Sequence, residues 1–371
     1  MSDEHHKGRE SPHVPFGSTS IRLTSNDWLV VLLSVALCFL VVPRVWRLAE
    51  PFRPANDYRI PHALSDDYWH YERWTNEVTA RGRIPIIGDS VIWGEYVSPN
   101  ETLSERINEQ LSVERFDNAG LSGSHPLALE GLVKQYGAGV RGRRVILHCN
   151  LLWMSSADRD LQSEREISFN HARLVPQISR TIPSYKPSIE DRLGNVVDHR
   201  FAFRRWVQHV RIVHFESLDL PSWSLDHPYE NPVARLRGAV PTPNRTPRHD
   251  ENAWFDRGIE QQSFEWVGKT SSLQIQAFQN TVESLRLRGC AVYVIVGPFN
   301  EHLLAPDGVE GYAQLKQYVA EWLAGQSIPH LIPAVLPSEE YGDASHPLEA
   351  GYRRLANEIV ADASFQNWLG N

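Results

Sequence analysis

Hydrophobic and polar positions along the chain fall into two alternating textures. Short apolar runs at Ile84 to Ile87, Glu114 to Asn118, Arg144 to Asn150 and Ala291 to Val296 predict buried strands, with a shorter one at His330 to Ile332. Between them lie stretches of helical spacing. Leu103, Ile107 and Leu111 mark one face of a helix over Glu101–Leu111 behind a capping-type start. Further helices are predicted over His125–Tyr136, Glu260–Arg288, Gly311–Ala324 and Pro347–Ala363. Strands alternating with helices imply a three-layer α/β/α sandwich around a mostly parallel sheet. Residues 83–371 form that domain. Residues 155–257 interrupt the alternation with an arginine-bearing elaboration (Arg159, Arg165, Arg173, Arg180, and Phe201 to Val210) that is broken at Pro241 to Pro247. No repeat is visible.

The N-terminal region has a different pattern. Residues 1–24 are polar and read as a disordered tail. Ser25-Asn26-Asp27 can cap a helix beginning at Trp28. Only Ser34 interrupts the apolar run from Leu29 to Val42, which covers about 21 Å as a helix. Extended over residues 28–46, with Arg44 snorkelling and Trp28 and Trp46 at the interfaces, it reaches about 28 Å and reads as a transmembrane anchor. A cleaved signal peptide is the rival reading, but no small-x-small site follows. Residues 47–82, Pro-rich at first, read as a tether and lead-in. Lys7, Arg9 and Arg22 precede the apolar run while Arg44, Arg47, Arg53 and Arg59 follow it, so the charge rule leans against an outward-facing domain.

Composition narrows the function classes. A net charge of -8 without a basic cluster argues against nucleic acid as a partner. The three cysteines, Cys38, Cys149 and Cys290, build no disulfide framework and read as thiols. No Cys-x-x-Cys or His-Glu-x-x-His spacing supports a metal, and no cofactor is implied. Twelve tryptophans fit core and interface packing, or the lining of a carbohydrate or acyl-chain groove.

Candidate chemistry starts where the first strand stops, at Gly88-Asp89-Ser90. Side chains at the carboxyl edge of a parallel sheet face the ligand crevice. Ser90 needs a general base, and the base needs an orienting acid. Asp343 and His346 lie three residues apart before the last helix, so one turn can present both to the same cleft. Asp89 reads as a turn scaffold, and His125 and His148 as structural. Asn300 and His302, after the fourth strand, are possible substrate contacts.

Gly88-Asp-Ser90 after the first strand, Gly120 and Asn150 after the second and third, and Asp343-x-x-His346 before the last helix together resemble the SGNH (GDSL-type) hydrolase family. The resemblance covers about residues 83–365. It implies a flavodoxin-like sheet, Ser90 as nucleophile, His346 as base and Asp343 as its acid. It also implies an oxyanion hole made by the Ser90 and Gly120 backbone N–H groups and the Asn150 amide. The family's third motif usually reads Gly-x-Asn-Asp, whereas this chain has His148-Cys149-Asn150-Leu151. The implied activity is hydrolysis of an O-acyl ester. The alternatives are O-acyl transfer onto a cell-envelope glycan or polymer, and a non-catalytic binding module on the same fold. Membrane-anchored members that modify cell-envelope polymers imply an extracytoplasmic domain, with an acyl ester or glycan as substrate.

Overall fold

The computed structural model describes residues 23–236, 240 and 251–370, in two compact units, residues 1–48 and 49–371. The tail over 1–22 and the break at Pro241 to Pro247 lie outside the described residues.

In the first unit, helix α1 (Ser25–Ala49) begins three residues before Trp28. Thr24 and Asp27 cap it reciprocally: Asp27 Oδ2 accepts from Thr24 N at 2.8 Å, and Thr24 Oγ1 from Asp27 N at 3.3 Å. At 25 residues the helix is about 37 Å long, and leucines and valines such as Val30, Leu32 and Leu37 are exposed around it. Its length and composition suit a membrane span or a signal sequence.

The second unit runs α2 (Tyr68–Ala80), β1 (Ile84–Gly88), α3 (Ser90–Trp93), α4 (Leu103–Leu111), β2 (Phe116–Gly120), α5 (Pro126–Tyr136) and β3 (Arg144–Cys149). The elaboration holds α6 (Ile189–Arg200), α7 (Ala202–His214), α8 (Leu220–Asp226) and α9 (Pro232–Arg235). There follow α10 (Leu273–Leu287), β4 (Ala291–Val296), α11 (Val309–Gly325), β5 (His330–Leu331), α12 (Glu349–Ala361) and α13 (Ala363–Leu369). The sheet is wholly parallel in the order β2-β1-β3-β4-β5, the flavodoxin-like order.

Alternation along the strands divides the core. Ile87, Val145, Leu147, Val292 and Val294 pack on one face with α2, α5, α10 and α11. Ile84, Ile86, Phe116, Ile146, Tyr293 and Ile295 pack on the other with α4, α12 and α13. The register aligns the strand ends that matter: Gly88 pairs with Gly120, and Cys149 with Val296. Residues just beyond them therefore share one edge of the sheet. All three cysteines are free thiols, with Cys149 and Cys290 buried.

Two expectations change. Residues 47–82, expected as a tether and lead-in, finish α1 at Ala49 and then pack on the domain, with Tyr58, Ile60, Leu64, Tyr71 and Trp74 buried. Arg59 fixes the segment by donating to the carbonyls of Trp93, Gly94 and Val97 at 3.2, 2.6 and 2.9 Å. The helix expected from Glu260 begins only at Leu273. Ser272 caps it, and the Asp160 carboxylate accepts from Leu273 N and Gln274 N at 2.9 and 3.2 Å, satisfying first-turn donors there. Upstream, Val267 N donates to Met154 O and Gln262 bridges to Leu304, so that stretch spends its backbone on neighbours rather than on a helix.

Candidate active site

Buried β1 ends at Gly88 because the next residue turns the chain. Asp89 caps the short α3 by accepting from Val91 N at 3.0 Å. Ser90 is thereby the first residue of that helix, half-buried at the sheet edge, and its N–H has no acceptor within the helix. Some 250 residues later the chain returns to the same edge in a closed loop. Gly342 N donates to His346 O at 2.9 Å, and Leu348 N to Glu340 O at 2.8 Å.

Asp343 and His346 face one another within that loop. His346 Nδ1 lies 2.8 and 2.7 Å from the two Asp343 oxygens, and His346 Nε2 lies 2.7 Å from Ser90 Oγ. A carboxylate can only accept, so Nδ1 carries the hydrogen and a neutral ring turns its Nε2 lone pair toward the serine. The structure thus brings Ser90, His346 and Asp343 into one hydrogen-bonded series.

The acid is held firmly. Asp343 Oδ1 also accepts from Ser345 N and His346 N at 2.9 and 3.0 Å, and Oδ2 from the Tyr96 hydroxyl at 3.0 Å. Burial alone would raise its pKa, but the His346 charge and these donors hold it well below the usual carboxylate range. For His346, burial lowers the pKa and the Asp343 charge and hydrogen bond more than reverse it, leaving it above the ordinary imidazole value. Tyr96 packs edge-on to the His346 ring at 5.7 Å between centroids. No sequence signal marks Tyr96; it acts through a contact 247 residues distant.

Asp89 does not reach this series. It is 1% exposed and binds four partners: Val91 N, Asn150 Nδ2 at 2.7 Å, Trp153 Nε1 at 2.9 Å and His148 Nδ1 at 3.2 Å. His148 Nε2 faces Gly297 O at 3.0 Å, tying β1, β3 and β4 together below the edge. His148 is therefore a strut under Asp89. His125 caps α5 by accepting from Ala128 N, and burial pushes its pKa down to about 3, so it stays neutral.

Asn150 commits one amide hydrogen to Asp89 and its Oδ1 to Leu152 N at 3.0 Å. Its second amide hydrogen lies toward Ser345 Oγ at a long 3.4 Å. Gly120 departs from expectation. Its N–H donates to Asn118 Oδ1 at 2.9 Å and is not free for a substrate oxygen. What Gly120 supplies is room: a Cβ there would meet the Trp93 nitrogen at 2.4 Å and the Ile92 carbonyl carbon at 2.8 Å. Both are backbone atoms, so Gly120→Ala is expected to cost about 1–3 kcal/mol in chemical denaturation. An unchanged midpoint would show that α3 can shift away.

Leu121 N and Ser124 Oγ both bond the Gly88 carbonyl, at 3.0 and 3.3 Å, pinning the loop beyond β2 to the turn that carries Ser90. Within it Gly123 sits at φ 74°, a conformation suited to glycine, and its N–H makes no hydrogen bond among the described residues. In the sequence it is simply the last residue of Asn118-Ala-Gly-Leu-Ser-Gly123, a glycine-containing stretch that ends the second strand.

Asn300 and His302 are not placed as substrate contacts. Asn300 is fully buried, with N donating to Ala344 O at 2.9 Å and Nδ2 to Asp343 O at 3.1 Å. It therefore braces the loop that carries the acid. His302 Nε2 bonds Leu336 O at 3.0 Å. In the elaboration, Arg173 and Arg180 bond Asp66 O and the Gln276 side chain, while exposed Arg165 pairs with Asp158.

Comparison with known proteins adds little. No protein-family model and no curated protein matches the chain. Among solved structures, a protein described as lipolytic and of the G-D-S-L family, from Desulfitobacterium hafniense DCB-2, aligns over 74% of this chain and 95% of its own. The identity is 10% and the TM-score 0.33, too distant to bear on activity.

Proposed function

We propose that the chain is a serine esterase of the SGNH type acting on an O-acyl ester. The observation that carries this reading is the unbroken series Ser90–His346–Asp343 at the carboxyl edge of the sheet. Ser90 Oγ attacks the ester carbonyl as His346 Nε2 takes its proton. The tetrahedral oxyanion meets the Ser90 and Gly123 backbone N–H groups and the second amide hydrogen of Asn150, fixed donors each worth about 3 kcal/mol of barrier. His346 then protonates the departing alkoxide oxygen, and water, activated by the same imidazole, releases the acid from the Ser90 ester. Asp343 holds the tautomer and offsets the imidazolium charge throughout.

Membrane anchoring through α1, with the enzyme domain on the extracytoplasmic side, belongs to the same reading. Its support is the exposed apolar surface of α1 and the character of anchored proteins that the motifs resemble.

The test uses the full chain purified in detergent and a fluorophosphonate probe. One adduct on the Ser90 peptide, absent in Ser90→Ala, is the expected result. Labelling at another serine, or none, would sink the nucleophile assignment. Adding an oligosaccharide to an acyl-ester assay decides the fate of the acyl group: its appearance on the sugar would replace hydrolysis by O-acyl transfer.

A further inference from the structure

Far from Ser90 in sequence and chemistry, a second polar cluster is buried where the enzyme domain begins. Glu50, one residue past α1, is 5% exposed; His209 and His214, on α7, are 0% and 5% exposed. One ligand-capable atom from each lies within 4.8 Å of the other two. Glu50 Oε1 is 3.1 Å from His209 Nε2 and 3.2 Å from His214 Nε2. A tetrahedral zinc ion with bonds of about 2.0–2.1 Å holds its donors about 3.3 Å apart.

The hydrogen-bond bookkeeping around His209 is what points to a cation. Its Nδ1 lies 2.5 Å from Asp67 Oδ2, an acceptor, so Nδ1 carries the hydrogen. In the neutral ring, Nε2 then aims a lone pair at the Glu50 carboxylate, with oxygens at 3.0 and 3.1 Å. Two acceptors face one another there, and something positive must sit between them. A proton on His209 would serve that pair alone. A divalent cation would serve Glu50, His209 and His214 together.

The surroundings are those of a ligand set rather than of a bare ion pair. Asp67 accepts from the far nitrogen of a ligating histidine, the arrangement that fixes ring orientation at metal centres. Arg73 bonds Glu50 Oε2 and donates to the Glu50 carbonyl at 3.0 Å, orienting the carboxylate. Trp69 covers the His209 ring at 4.3 Å between centroids. His70 stacks on the same ring, and its buried Nδ1 has no hydrogen-bond partner among the described residues.

We propose that Glu50, His209 and His214 bind one divalent cation of the zinc class, with Asp67 and Arg73 as its outer shell. Two imidazoles and a carboxylate suit zinc before magnesium or calcium. The ion would staple the segment that leaves α1 to α7 of the elaboration and, through Asp67 at its N-cap, to α2. Sequence spacing gave no sign of it. His209 and His214 are five residues apart, off the helical same-face spacing, and Glu50 lies 159 residues upstream.

The full chain in detergent is stripped with a chelator, reloaded with zinc chloride, desalted and analysed for zinc by mass spectrometry. About one equivalent is expected in the parent protein, with zinc raising the Tm. His214→Gln should lose both effects, and Asp67→Asn should bind zinc about 10–100-fold more weakly. His5 and His6 of the N-terminal tail are retained in His214→Gln, so a full equivalent in that variant would overturn the proposal. So would a parent protein that takes up no zinc and shows no Tm shift, a result that leaves a proton bridging His209 and Glu50. If His214→Gln does not fold, the parent stoichiometry and Asp67→Asn decide the matter.

Discussion

Asp343→Asn is expected to lower kcat by about 10⁴-fold with little change in KM. Asparagine preserves the shape and the acceptor on one side, but it offers an N–H2 where the second oxygen stood. The His346 ring then loses the partner that keeps its hydrogen on Nδ1, and the imidazolium formed during attack loses its counter-charge. The pH profile should report the same event. His346 must be neutral to accept the Ser90 proton, so kcat/KM climbs as pH rises through its pKa. In the parent protein the Asp343 charge outweighs burial and raises that pKa, which places the acid limb above the ordinary imidazole value of 6.5. In Asp343→Asn burial is opposed only by the lesser charges of Asp89 and Glu95, and the residual activity should turn on at lower pH. An acid limb that stays in place would mean that His346 is not the titrating base.

The second large effect is on stability. Asp89→Ala removes the acceptor shared by Val91 N, Asn150, Trp153 and His148, and leaves His148 buried beside no carboxylate. Leaving buried donors without their acceptor costs about 1–3 kcal/mol each, so a loss of at least about 3 kcal/mol is expected. The pH dependence has a definite sign. Burial pushes the Asp89 pKa up, but the His148 charge and its hydrogen bond, with those of Trp153 and Asn150, bring it down to about 2 against an ordinary 3.8. A depressed carboxylate stabilises the fold above its unfolded pKa and ceases to do so as pH falls through its folded one. About 2 kcal/mol should therefore be present above pH 4 and vanish between pH 4 and 2. Urea denaturation of the parent and Asp89→Ala should show a gap at pH 6 that narrows across that window. A gap independent of pH would assign the loss to packing instead.

What could be read from the sequence was whatever repeats locally. Buried strands such as Ile84–Ile87 and Ala291–Val296 announce themselves as apolar runs, and a parallel sheet follows from their alternation with helices, whereas the flavodoxin-like order came only from the motif resemblance. Ser90, Asp343 and His346 were legible because strand ends and short loops bring few residues to one edge. The remainder depends on contacts that have no local period. Residues 49–82 look like a linker by their prolines, yet Trp74 and Tyr58 bury against a sheet formed later in the chain. Asn300 stands at the correct edge but is turned inward, beneath Asp343. Gly120 and Gly123 are indistinguishable by composition. What separates them is structural: the Asn118 side chain takes up the Gly120 N–H, while Gly123 lies in the loop at φ 74°.

The loop from Glu340 to Leu348 has a consequence for motion. Acid and base sit on one self-bonded piece of chain, while the nucleophile sits on another, the capped turn after β1. Two direct bonds join those pieces, His346 to Ser90 at 2.7 Å and Tyr96, just beyond α3, to Asp343 at 3.0 Å, while Asn150 adds a longer contact to Ser345 from the end of β3. A displacement of the loop by little more than an ångström would disengage the serine while the imidazole and carboxylate stay paired. An agent that wedges this seam would therefore part Ser90 from His346 and leave the His346–Asp343 pair and the fold intact.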